Sequence, residues 1–355
     1  MKKAVFIGSA GSVANVYSPE VMSALHDELT FETDHVIAKN ELDSYFDTLS
    51  HADYIFSTWG MPHFTREEIK KYLPNVKALF YGAGSVQGFA REFLEEGVAV
   101  FSAWAANAVP VADYTFAEIM LASKGYFNRY HRAAEGSAWQ GRSRGGYPGI
   151  YEIKVGILGA GMIGKMVIER LKTLEKVDIL VFDPFLPDEK AEQLGVRKCS
   201  LETIFEECDV ISNHLANNSE TVGIINKTHF SKMKPCSSFI NTGRGAQVVE
   251  ADMIEALMRD PSISAVLDVT FPEPPEKDSP LYTLENVFLT PHIAGSLGNE
   301  VHRMGEYMLD ELRAYDSGKP VKCNRQLSPT LPDSPTHDKI TPTIPAKWNG
   351  LRWST

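Results

Sequence analysis

Short apolar runs alternate with longer amphipathic segments along most of this chain, and that rhythm constrains the fold more than any other feature. "KAVFIG", "YIFSTWG", "VKALFYGAG" and "VAVFSA" form a first series, with helical patterns between them at Ser18 to Leu29, Thr65 to Leu73 and Phe89 to Glu96. A second series begins near Ile153 with "IKVGILGAG", followed by "VDILVFD", "CDVISNH", "SSFINTG", "ISAVLDV" and "NVFLTPH". Runs that are apolar almost throughout belong to strands covered on both faces, as in parallel sheets built from βα units. Two doubly wound α/β units are therefore expected, and 355 residues suffice for two cores. Between the series, "NAVPVADYTFAEIMLASKGYFNRY" has helical period, with Pro110 suiting a helix start. This helix and another predicted over Asn299 to Tyr315 are expected to bridge the units, the chain returning to the first near its end. From Gln326 the pattern fails. Five prolines among the last 30 residues predict a disordered or loosely docked tail, in which Trp348 and Trp353 could instead pack onto the body or a partner.

Composition excludes several classes of partner. A net charge of −11 leaves no basic footprint for nucleic acid. The opening "MKKAVFIGSAG" stops being apolar at Gly8, too soon for a signal segment, and no later run is long enough to span a bilayer, so no membrane partner and a cytoplasmic location are expected. Cys199, Cys208, Cys236 and Cys323 form no CxxC pair and have no metal-like spacing with histidine. Reduced structural thiols and no bound metal are expected, in keeping with a reducing compartment.

"KVGILGAGMIGKMVIERL" places Gly159, Gly161 and Gly164 directly after an apolar strand and at the start of a helix. The first glycine permits a tight turn, the second lets backbone N–H groups approach a pyrophosphate, and the third allows close helix packing. The helix N-terminus adds positive potential. Nineteen residues past Gly164, at the end of "ILVFD", stands Asp183. A carboxylate there accepts hydrogen bonds from ribose hydroxyls and repels a 2′-phosphate, so the expected cofactor is NAD rather than NADP. "FIGSAGSVANVYS", near the start, lacks the spacing and reads as an ordinary loop, or as one rim of a substrate cleft.

Ligands of open parallel sheets lie beyond the carboxyl ends of the strands. Arg244 sits there, in "FINTGRGAQV", between two glycines that suggest an anion close to the backbone. Glu273, in "TFPEPP", and His292, past "NVFLTP", follow neighbouring strands. Singly, these could be a salt-bridge partner, a solvated loop acid and a core histidine. Together they suit a 2-oxo acid, which needs a planar two-pronged cation and a proton donor near neutral pH. A neighbouring carboxylate favours the protonated imidazole.

With "ILGAGMIG", "FDP", "INTGRGAQV", "LDVTFPEPP" and "TPHIAG" in this order, the chain resembles the D-isomer-specific 2-hydroxyacid dehydrogenase family from about Ala4 to about Lys322. The resemblance implies that Arg244 binds substrate, Glu273 orients the histidine, and His292 is the acid/base. It also implies that Asp268 contacts the nicotinamide amide, that the backbone at Met162, Ile163 and Thr242 touches the cofactor, and that His214 lies on the adenine side. The implied fold is a flavodoxin-like substrate domain, residues 1–106 and 294–325, and a Rossmann NAD-binding domain, 107–293, with a cleft between them, a proline-rich tail over 326–355, and a homodimer. Val86 stands where members of the family commonly carry an acid in "YGAGSVQG", although the N–H groups of Gly84 and Ser85 remain able to hold a carboxylate. "NHLANNSET" lacks the usual proline after the histidine. Trp59 either lines the substrate side or is a core aromatic. The expected function is hydride transfer between NAD(H) and a small 2-oxo or D-2-hydroxy acid. An NAD(H)-sensing, corepressor-like binding protein is the alternative, and Glu273 in place of glutamine argues against a formate dehydrogenase.

Overall fold

The structure, a computed structural model, describes residues 1–134, 146–321 and 324–325. The proline-rich segment from 326, with Trp348 and Trp353, and also Cys323 lie outside the described residues.

The first half runs β1 (Lys3–Phe6), α1 (Ala10–Val16), α2 (Pro19–Glu28), β2 (Thr30–Phe31), α3 (Phe46–Ser50), β3 (Tyr54–Ser57), α4 (Arg66–Tyr72), β4 (Ala78–Tyr81), α5 (Ala90–Glu95) and β5 (Ala99–Ser102). Then come α6 (Trp104–Ser123), α7 (Tyr126–Ala134), β6 (Lys154–Leu158), α8 (Met162–Leu171), β7 (Asp178–Phe182), α9 (Asp188–Gln193) and β8 (Arg197–Lys198). The remainder is α10 (Leu201–Glu207), β9 (Val210–Asn213), α11 (Lys227–Phe230), β10 (Ser238–Asn241), α12 (Glu250–Arg259), β11 (Ser264–Leu267), β12 (Val287–Leu289), α13 (His302–Asp316) and β13 (Asn324–Arg325).

The first sheet has the order β2-β1-β3-β4-β5, all parallel, with β13 added antiparallel to β5. Its register aligns Phe6, Phe56, Phe80 and Phe101 across four strands. The rings of Phe56, Phe80 and Phe101 stack at 5.1 and 4.9 Å between centroids. Because side chains alternate across the pleat, Val5, Ile55, Leu79 and Val100 fill the opposite face. The second sheet has the order β8-β7-β6-β9-β10-β11-β12, wholly parallel, with apolar cores on both faces. In each sheet the strand order reverses beside the first strand, opening a crevice at the carboxyl ends.

Two helices connect the sheets. Ala106 of α6 packs in the first core and Ala112, Ile119 and Ala122 in the second, while Met304, Met308 and Leu312 carry α13 back onto the first sheet. Pro110 does not start its helix. It lies well inside α6, which begins at Trp104. An interior proline removes one donor from the ladder, but an alanine-rich first turn, with Asn107 N donating to Ala103 O at 3.0 Å, starts the helix upstream of it. "FIGSAGSVANVYS" is likewise not a simple loop. After a turn at Gly8 it forms α1, whose Val13 and Val16 enter the first core.

Candidate active site

The three glycines after β6 have three separate reasons to be glycine. Gly159 turns the chain at φ +90°, and a Cβ there would lie 2.7 Å from the carbonyl oxygen of His214. At Gly164 a Cβ would lie 2.0 Å from the carbonyl oxygen of Gly159, so α8 can seat against the turn only without a side chain. A Cβ at Gly161 would meet nothing within 4 Å. That open space lies over the start of α8, where the first intrahelical bond is from Lys165 N to Gly161 O. The N–H groups of Met162, Ile163 and Gly164 therefore have no partner within the helix and, with the helix dipole, are able to receive an anion.

Asp183 closes this site. Its Oδ2 accepts from Ala160 N and its Oδ1 from Phe185 N, both at 2.8 Å. Each oxygen keeps a further lone pair for a ribose hydroxyl, so the residues present fit a dinucleotide. Asp183→Ala is expected to weaken NADH binding and to bring the NADH to NADPH affinity ratio down by about tenfold or more, the worth of charged hydrogen bonds and a lost repulsion. Titration of both nucleotides checks this; an unchanged ratio would remove the ribose role.

His214 is placed differently from the other cofactor-loop residues. Its ring is buried, with Nε2 at 2.9 Å from Ser212 Oγ and Nδ1 without a hydrogen-bond partner among the described residues. Burial lowers its pKa to about 3, so the ring is neutral. Its backbone carbonyl, rather than its ring, abuts the glycine turn. Thr242, also buried, lies 3.0 Å from Thr115 of α6 through the two hydroxyls.

The glycines flanking Arg244 are explained by packing. A Cβ at Gly245 would lie 2.0 Å from the carbonyl carbon of Thr270, and one at Gly243 would lie 3.0 Å from the carbonyl oxygen of Asn213. The Arg244 loop is thereby pressed against the loop that carries Glu273, a different reason from the anion approach that the sequence suggested. Beneath it lies a buried amide network. Asn213 Nδ2 donates to Asn241 Oδ1 at 3.0 Å and to Gln247 Oε1 at 2.7 Å, Gln247 Nε2 donates to Leu215 O at 2.9 Å, and Asn241 Nδ2 donates to Arg244 O at 3.2 Å. The Arg244 side chain is exposed, with Nη1 donating to Gly243 O at 2.7 Å.

Glu273 and His292 meet directly. Glu273 Oε1 is 2.6 Å from His292 Nδ1, which leaves Nε2 turned away from the acid. Both side chains are nearly half exposed, at 41% and 47%, so their pairing contributes only about 0–1 kcal/mol to stability, and its value is orientation. Glu273 lies between two cis peptide bonds, Phe271–Pro272 and Glu273–Pro274. His292 has φ +54°, a left-handed conformation that costs about 1–3 kcal/mol for a side chain of this kind. Asp268 offsets it. Its carbonyl accepts from His292 N at 3.0 Å, Oδ1 from Ile293 N at 2.7 Å and Thr290 Oγ1 at 2.7 Å, and Oδ2 from Ala294 N at 2.9 Å. A carboxylate has about four lone-pair sites, so one remains for a further donor.

The first sheet faces this cluster through Asn107 near the start of α6. Asn107 Oδ1 accepts from Ser296 N at 2.9 Å, and a Cβ at Gly84 would lie 3.6 Å from Asn107 Nδ2. Gly84 is held from below by Ser102, whose hydroxyl donates to its carbonyl, and Ser85 is exposed beside it. Trp59, past the end of β3, is 40% exposed and so is not a core aromatic. Met61 and Val86 pack half-buried against the core nearby.

Asn107, Asn213, Asn241 and Gln247 are not among the residues that the motifs single out. Asn213 and Asn241 left a signal, since each is an amide at the end of a strand whose larger side chains are apolar.

The model of the D-isomer specific 2-hydroxyacid dehydrogenase NAD binding domain matches residues 117–294, and the cofactor of this domain is NAD. The chain is 34% identical over 231 residues to a D-3-phosphoglycerate dehydrogenase of Archaeoglobus fulgidus, the match covering 64% of this chain and 43% of that one. It thus spans less than half the length of that relative. It is 31% identical over 242 residues to a glyoxylate reductase of Korarchaeum cryptofilum, covering 67% of this chain and 72% of that one. Among solved structures, a phosphoglycerate oxidoreductase from Rhizobium etli has the same fold, with a TM-score of 0.76 and 23% identity over 92% of this chain and 98% of that one.

Proposed function

Because the chain belongs to the D-isomer specific 2-hydroxyacid dehydrogenase family, we propose that it interconverts a small 2-oxo acid and the corresponding D-2-hydroxy acid with NAD(H). The observation that carries this reading is the 2.6 Å pairing of His292 with Glu273 on a loop set beside that of Arg244. NAD(H), when bound, supplies or accepts the hydride at substrate C2. Arg244 anchors the substrate carboxylate or carbonyl with its fork of donors, helped by the N–H groups of Gly84 and Ser85. His292 Nε2 donates a proton to the carbonyl oxygen as it becomes a hydroxyl, and takes it back in the reverse direction. Glu273 fixes the ring through Nδ1 and so sets the direction of Nε2. Gly159, Gly161, Gly164 and the N–H groups of Met162 and Ile163 cradle the pyrophosphate, Asp183 takes the ribose, and Thr242, Asp268 and the carbonyl side of His214 complete the cofactor wall.

On this reading residues 1–106 and 294–325 form the substrate side and 107–293 the cofactor side. Two copies associate through the latter, a reading supported by the exposed apolar side chains Leu121, Tyr126 and Tyr130 along α6 and α7. No helix among the described residues is long and apolar enough to cross a membrane. The free thiols of Cys199, Cys208 and Cys236 support a cytoplasmic setting.

Trp59, Met61 and Val86 make the substrate wall apolar, and two cations of the same half of the chain are paired with acids, Lys39 with Glu68 and Arg66 with Glu96, which leaves Arg244 for the carboxylate. A panel of 2-oxo acids, followed by loss of NADH absorbance, is therefore expected to favour uncharged, apolar substituents over phosphorylated ones. Arg244→Ala should lower kcat/KM on the best acid by about a hundredfold or more, since the substrate anion loses its charged partner. NADH binding without turnover of any acid would overturn the proposal in favour of a sensor, and a near-normal kcat/KM in the variant would remove the anchor.

A further inference from the structure

The amides beneath the Arg244 loop form a set with a single consistent arrangement. Asn213 and Asn241 stand opposite each other at the ends of β9 and β10, and Gln247 follows the Arg244 loop. All three are buried, with Asn213 and Gln247 at 0% and Asn241 at 1% exposure. A carboxamide has nearly the same shape either way round, so its direction is set by neighbours whose roles are fixed. Here backbone groups set it. Gly243 N donates to Asn241 Oδ1 at 3.1 Å, and Asn241 Nδ2 donates to Arg244 O. Leu215 N donates to Asn213 Oδ1 at 3.2 Å, while Gln247 Nε2 donates to Leu215 O and, at 3.0 Å, to Ala216 O. With those directions given, the two hydrogens of Asn213 Nδ2 meet two acceptors, Asn241 Oδ1 and Gln247 Oε1. Turning any one amide round would set like atoms against each other and leave a buried backbone group without its partner.

The set joins two loops. On one side it holds the backbone of residues 243 and 244. A Cβ at Gly243 would lie 3.2 Å from Asn213 Nδ2 and 3.3 Å from Gln247 Oε1, so this loop rests directly on the amides. On the other side it holds residues 215 and 216, whose segment backs the glycine turn: a Cβ at Gly159 would lie 2.7 Å from His214 O and 3.0 Å from Leu215 Cα. Apolar side chains at these strand ends would be cheaper to bury, but they could not fix the direction of either loop.

We propose that Asn213 and Gln247 are positioning residues: with Asn241 they fix the loop that carries Arg244 against the segment behind the glycine turn, and so set the substrate anchor in register with the cofactor side. The positioning stands on the hydrogen bonds alone, and only its effect on substrate rests on the reading of Arg244 as the anchor.

Asn213→Leu in the full-length chain removes the centre of the set. Hydrogen-exchange protection of the Gly243 amide, whose partner is Asn241 Oδ1, should then fall about tenfold or more, while the Asp268 amide, bonded to Asn241 O at 3.0 Å, keeps its protection. Gln247→Met is milder and serves where the first variant folds poorly. It keeps the Asn213–Asn241 bond and frees the 215–216 segment, so the Leu215 amide should lose protection about tenfold while that of Asp268 does not. On the best 2-oxo acid, both variants should raise KM about tenfold with kcat and NADH affinity within a few-fold of wild type, the pattern of a displaced anchor.

Unchanged protection at Gly243 and Leu215 would overturn the link between the amides and the loops. Equal loss at Asp268 would show a general loosening of the sheet and overturn the positioning as well, as would an unchanged KM in both variants where Arg244→Ala is impaired. The exchange measurements require no turnover. Failure of the dehydrogenase reading therefore appears separately, as the absence of any substrate, and the exchange pattern still decides the positioning.

Discussion

Replacing His292 with asparagine is expected to reduce turnover by roughly 10² to 10⁴-fold while NADH affinity, read by fluorescence titration, stays within a few-fold of wild type. Asparagine suits this test because it tolerates φ +54° better than alanine, so the backbone strain and its support by Asp268 are largely preserved. What is removed is the ring that Glu273 orients. The side chain is 47% exposed and its ion pair adds little to folding, so Tm should change by no more than a few degrees. A large fall in Tm together with lost NADH binding would identify a structural histidine, and normal turnover would exclude it as the proton donor.

The second large effect distinguishes two glycines of one loop. Gly164→Ala places a methyl group 2.0 Å from a backbone oxygen that cannot swing aside, so α8 must move off the turn. Overpacking of this kind costs about 1–3 kcal/mol and should lower Tm as well as NADH affinity. Gly161→Ala meets nothing within 4 Å, so its Tm should equal that of wild type. Its methyl group nevertheless occupies the approach to the free N–H groups of α8, and NADH affinity should fall about tenfold or more, a charge-assisted hydrogen bond or two. Calorimetry and nucleotide titration on the pair check this. Unimpaired NADH binding by the Gly161 variant would place the pyrophosphate elsewhere.

Much of the site was legible because its chemistry is local in sequence. Gly159, Gly161, Gly164 and Asp183 belong to one βαβ unit, so their spacing in sequence already brings them together. Arg244, Glu273 and His292 each follow an apolar strand, and a parallel sheet brings the ends of such strands together whatever lies between them. Pro110 misled because its usual place in a helix is the first turn, and nothing in the local pattern announces a helix that runs through it. The helix α1 was hidden by glycine and serine, which favour turns until Val13 and Val16 find a core to enter.

The sequence by itself determined two parallel sheets, a glycine-rich turn with an acid at the end of the next strand, and three polar residues at strand ends, because period, spacing and residue type are properties of the chain alone. Only the tertiary structure decided why Gly245 is glycine, that His214 is buried and neutral, and that Tyr114 of α6 connects through Thr290 to Asp268 beneath the histidine loop. Those facts depend on which atoms lie within a few ångströms across distant segments. Steric exclusion, desolvation and the direction of a hydrogen bond act over that range, and they are set only once the sheets and helices are packed.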